Sequence, residues 1–160
     1  MRARFALGLV AQLTCCLTLA HAASEGEMIA EMQKCAVCKH LAAKPDLMKN
    51  MTWETHKIDN GMLSVSTVPK EQKADFDALS KEMKTAVEEV KAANKQGKPV
   101  ELCHMCAAMG ELMKAGAKEQ EIAIPNGSIH LMTSSDPTVV AKLHASADQA
   151  IAMQKQMAPK

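Results

Sequence analysis

The stretch EIAIPNGSIHLMT, Glu121 to Thr133, has a counterpart in THKIDNGMLSVST, Thr55 to Thr67. Each places an Asn-Gly pair, Asn126-Gly127 or Asn60-Gly61, between two short runs in which apolar residues alternate with polar ones. Alternation with period two marks a strand with one buried face. Asn-Gly between two such runs marks a tight hairpin, because both central residues of the favoured turn must tolerate positive φ. Leu63, Val65 and Thr67 match Ile129, Leu131 and Thr133 at a constant offset of 66. Two hairpins are predicted.

Working outward, each hairpin is followed by a helix with proline near its first turn. Pro69 comes after Thr67-Val68, and Asp136-Pro137 supplies an N-cap followed by proline at the first helical position. The first of these helices runs to about Gln96, where KQGKP (95–99) breaks it, and it carries Phe76, Leu79, Met83, Ala86, Val90 and Ala93 at three- and four-residue steps. The last repeats the pattern with Val140, Leu143, Ala147, Ala150 and Met157. A helix also precedes each hairpin, over about Glu25–Ala43 and Leu102–Ala115. The chain thus reads as an α+β protein of two tandem αββα repeats, about 25–96 and 99–158. A pseudo-two-fold between them would assemble a four-stranded antiparallel sheet packed with helices.

Residues 1–22 stand apart. MRAR is a short basic start, FALGLVAQLTCCLTLA is uncharged and apolar, and Ala20-His21-Ala22 offers small residues where a secretory signal peptide is cleaved. The expectation is a single mature domain, 23–160, that is secreted or periplasmic and has no membrane span. Losing Arg2 and Arg4 takes the 19 basic residues to 17, against 18 acidic ones, a formal charge of −1. Without arginine, and with Trp53 and Phe76 its only aromatics, such a chain is poorly equipped to bind nucleic acid. No Ser/His/Asp grouping, glycine-rich phosphate loop or spaced carboxylate pair points to an enzyme, apart from thiol chemistry.

The four cysteines beyond the leader fall in two pairs, CAVCKHLA from Cys35 and CHMCAAMG from Cys103. Thiols at i and i+3 of a helix share a face, here the one that also bears methionines. If the two pairs meet, Cys35, Cys38, Cys103 and Cys106 form an all-sulfur site suited to zinc or copper(I). Met32 and Met109, each one turn from a cysteine, and His104 are secondary candidates. The structural alternative is a set of disulfides stapling an envelope adaptor, and the redox alternative is thiol–disulfide exchange at an exposed helix start. Most of the other methionines, and the single histidines His56, His130 and His144, read as core or surface residues. A homodimer is left open.

In its second half, over about residues 98–150, LCHMCAAMGELM followed by a hairpin and DPTVVAKLHASA resembles a heavy-metal-associated domain of the ferredoxin-like type. The resemblance implies a soft ion such as copper(I) held by Cys103 and Cys106, and by the repeat a second pair, Cys35 and Cys38. The chain departs from that pattern in having Glu101-Leu102 before its first cysteine, a helix before the first CxxC, and no strand after the last helix.

Overall fold

A computed structural model describes residues 25–157, so the leader read in residues 1–22 lies outside it. Strands β1 (Thr52–Ile58) and β2 (Gly61–Thr67) form one hairpin, and β3 (Lys118–Ile124) and β4 (Gly127–Thr133) the other. They join into one four-stranded antiparallel sheet of order β1-β2-β4-β3. The helices complete an α+β fold. The strands begin earlier than expected, so Trp53 lies within β1 rather than ahead of it.

The turns also sit one residue earlier than the Asn-Gly signal implies. Ile58 pairs with Gly61 and Ile124 with Gly127, leaving Asp59-Asn60 and Pro125-Asn126 as the connecting residues. The glycines have a different task. Across the central seam Gly61 lies opposite Thr133 and Gly127 opposite Thr67. A Cβ on Gly61 would run into the backbone carbonyl of Met132, and one on Gly127 into that of Ser66. Only glycine lets the two hairpins close on each other.

Strand alternation divides the sheet into two faces. Lys57, Thr55, Met62, His130 and Glu121 share one, and Glu54, His56, Leu63, Val65, Ile129 and Leu131 share the other. Helices α4 (Lys73–Lys95) and α6 (Pro137–Met157) lie on the first face. Lys84 of α4 pairs with Glu121 at 2.6 Å, Lys57 pairs with Asp148 of α6 at 2.6 Å, and the Gln154 amide donates to Thr55 Oγ1 at 3.1 Å. On α4 the expected stripe buries Phe76, Leu79 and Ala86. On α6 it runs through Val139, Leu143 and Ala147, with Val140 only half-buried. The Asp136 carboxylate caps α6 by accepting the Thr138 N–H at 2.7 Å.

The first expected helix is broken. It becomes α1 (Glu25–Lys34), α2 (Lys39–Ala42) and α3 (Pro45–Asn50), with Cys35–Val37 in a turn. Pro45 explains the second break, since the residue before proline avoids helical ψ and proline suits the first helical position. The first break has a tertiary cause: the Ala36 N–H, which would continue α1, donates to the Glu101 carbonyl at 2.9 Å. Helix α5 (His104–Lys114) ends at Gly116, whose φ of 98° allows the Ala117 N–H to return to the Leu112 carbonyl. No helix among the described residues is long and apolar enough to cross a membrane.

Candidate metal centre

Each half of the site is a short backbone device. Cys35 follows the last residue of α1, and Cys38 precedes α2 with its carbonyl accepting the N–H groups of Leu41 and Ala42 at 3.0 Å. Had α1 continued through both cysteines, their Cβ atoms would stay roughly 5–6 Å apart on a cylinder. The turn at Ala36 instead folds Cys38 back, so that its N–H points to Cys35 Sγ at 3.4 Å. In the other half Cys103 is the N-cap of α5, with extended backbone, and Cys106 lies in the first turn.

Two connections bring the halves together. One is the Ala36 to Glu101 backbone hydrogen bond. The other is Glu31 of α1, which sequence reading missed. Its carboxylate accepts the His104 backbone N–H at 2.7 Å and meets His104 Nδ1 at 2.7 Å. A carboxylate on the first free N–H groups of a helix satisfies orphan donors and opposes the positive end of the dipole. That hydrogen bonding holds the Glu31 carboxyl below the usual carboxylate range. Only the spacing of Glu31 one turn before Cys35 was visible in the sequence, and nothing there pointed 73 residues ahead.

The outcome is a group of four sulfurs. Cys38 Sγ lies 3.3 Å from Cys106 Sγ and 3.6 Å from Cys103 Sγ, and all four Sγ atoms lie within 4.8 Å of one another. A tetrahedron of thiolates about an ion at about 2.3 Å has sulfur–sulfur edges of about 3.8 Å, within the range found. All four cysteines are free thiols. Cys35, Cys38 and Cys103 are buried, at 0%, 6% and 2% exposure, and Cys106 is half-buried. The arrangement can hold a metal ion.

The thiols share their protons unequally. Cys106 accepts a hydrogen bond from Cys38, which lowers its pKa to about 6 despite burial. The same contact keeps the proton on Cys38 and pushes its pKa up, with burial adding to the effect. Burial is the main cause of the rise at Cys103, to about 11. With their sulfurs 3.3 Å apart, Cys38 and Cys106 resist carrying negative charge together unless a cation lies beside them.

Compared with known proteins, the chain matches no family model, and no curated protein or solved structure proved similar to it. The site therefore rests on its own chemistry.

Of the secondary candidates, only Met32 shares the apolar cluster of the cysteines. Met32 is buried in the same apolar cluster as Cys35, Cys38 and Cys103. Met109 packs against a second cluster that contains Leu112 and Leu143. His104 turns its ring outward to Glu31, with 60% of its side chain exposed. His40, two residues after Cys38, has its ring 3.6 Å from the Glu82 carboxylate. Val37, between the first two cysteines, lines a cavity of about 520 Å³ under α4 together with Trp53 and Phe76.

Proposed function

We propose that this protein binds one soft or borderline metal ion, copper(I) or zinc, through Cys35, Cys38, Cys103 and Cys106. It does so after export and removal of residues 1–22, in the periplasm or outside the cell, where it handles or sequesters the metal. One observation carries the reading: two CxxC pairs far apart in sequence converge as four free thiols in a largely buried group. All-cysteine coordination with no open position suits a structural or storage site rather than a catalytic one. Thiolates favour copper(I) and zinc over the hard cations.

A duplication is part of the same reading. The offset of 66 between the hairpins, the equivalent glycines at Gly61 and Gly127, and the mutual pairing across the central seam support two αββα units about a pseudo-two-fold. Each unit would contribute one CxxC.

Metal analysis of protein purified without chelator tests the function. About one equivalent per chain is expected, lost in Cys103→Ser and in Cys38→Ser. Cobalt(II) put in its place should give the visible spectrum of a tetrahedral thiolate site. Metal-free protein in which all four thiols stay unprotected from alkylation would reject the reading.

Thiol–disulfide exchange is a second reading, favoured by the half-buried Cys106 next to Cys38. In it the Cys38 and Cys106 thiols lose two electrons and two protons to a partner disulfide, which becomes two thiols. Reduction of a disulfide substrate such as insulin would separate it from metal binding.

A further inference from the structure

Among the described residues, no helix covers one face of the sheet. Leu63 and Leu131 pair across the central seam, Val65 pairs with Ile129, and Ile122 continues that row on β3. Ile122 is 40% exposed. Both helices that lie on the sheet meet it through the opposite face, by way of Lys57, Thr55 and Glu121. Four strands about 4.8 Å apart and seven residues long, at about 3.4 Å each, present a surface of roughly 20 by 23 Å. Its centre is apolar, with Leu63, Val65, Ile122, Ile129 and Leu131 side by side inside a polar margin, and a contiguous apolar patch rimmed by polar residues marks a contact site. Its projected area, roughly 460 Å², is a little over half of what a standard interface takes from each partner, in the range of a small, reversible contact.

The charges on this face say what fits it. Glu54 stands near one corner, two residues in from the start of β1, with 72% of its side chain exposed, and its neighbour on the same face is His56 at 3.6 Å. Lys118 stands at the opposite corner, on β3, exposed, and no ion pair of the described residues involves it. Glu54 is in register with Val65, Ile129 and Ile122, and Lys118 lies four residues before Ile122. The two corners are therefore separated by about 14 Å across the strands and about 13 Å along them. That diagonal lies about 45° from the strands, and its midpoint falls between Leu63 and Leu131.

We infer that the open face binds a second copy of this chain. A two-fold axis perpendicular to the Glu54–Lys118 diagonal sets each Glu54 over the partner copy's lysine corner. It gathers Leu63 and Leu131 of both copies at the axis. Because the diagonal lies near 45°, the strands of the two sheets then cross at about a right angle, one of the two stable ways for sheets to pack. A patch acidic at one corner and basic at the other is self-complementary under such an axis. Both sulfur sites remain on the outer, helical sides. The inference stands apart from the metal reading, since none of its residues touches a cysteine.

Sedimentation equilibrium of the purified protein, across concentration, tests it. The mass of a dimer is expected. Leu131→Lys should give a monomer that keeps its thermal transition and its metal content. Glu54→Lys alone and Lys118→Glu alone should each weaken association about tenfold or more. The double exchange, Glu54→Lys with Lys118→Glu, should restore it. A monomer at all concentrations would overturn the inference, whether the face then binds nothing, another protein or the leader. So would a dimer indifferent to Leu131→Lys, or a double exchange no better than either single one.

Discussion

Glu31 on α1 holds the start of α5 by two contacts to His104, each of 2.7 Å. Cys103 is the residue just before His104, so this carboxylate fixes where the second thiol pair stands relative to the first. Replacing Glu31 with Gln keeps the size but weakens the acceptor and removes the charge. Metal affinity is expected to fall roughly tenfold, as when a ligand's supporting partner is lost. Competition with a chelator of known affinity measures this, and an unchanged affinity would show that the sulfurs position themselves.

The same carboxylate gives the metal-free protein an acid-sensitive contact. Its pKa is lowered from 4.5 in the folded state. The unfolded chain therefore takes up a proton first as pH falls, and stability is lost below about pH 4.5 through the folded pKa. Above that the contribution is fully present. Unfolding midpoints between neutral pH and pH 3 are expected to drop less steeply in Glu31→Gln than in the parent.

Removing the metal should destabilise the fold. An ion held by the four sulfurs would join α1 and α2 to α5, and a ligand bound only by the folded state adds about 4 kcal/mol at a thousandfold excess over its Kd. Chelation is expected to lower the melting temperature by roughly 10 °C. Calorimetry with and without chelator checks it, and Cys103→Ser should melt with the metal-free protein at either condition.

Glycine substitutions separate two roles. Gly61→Ala and Gly127→Ala drive a Cβ into backbone across the seam and should each cost about 3 kcal/mol. Gly110 lies within α5 with nothing within 4 Å of an added Cβ. Gly110→Ala is expected to stabilise by about 0.5–1 kcal/mol. Urea titrations of the three variants provide the comparison.

The hairpins were legible because alternation and turn chemistry are local. Leu63, Val65, Ile129 and Leu131 carry the period in their own spacing. The turn position was misread by one residue because Asn-Gly also arises when glycine is wanted for close strand approach, as at Gly61. The meeting of the two cysteine pairs was anticipated from symmetry alone, and the sulfurs do converge. Invisible was how this is achieved. The break of α1 at Cys35 depends on the Ala36 N–H finding Glu101, and the placement of α5 depends on Glu31 finding His104. No local propensity encodes partners that far apart. The shift from Val140 to Val139 on α6 has a similar origin, in how the helix settles on Met62 and Met132.

Cys38 lies 65 residues from Cys103, with both strands of the first hairpin and all of α4 between them. A chain still extended offers any passing ion only two separate dithiols, each a weak and unselective trap. Four-sulfur coordination would begin only where folding is completed, so the compartment in which this polypeptide folds would decide which ion the site meets.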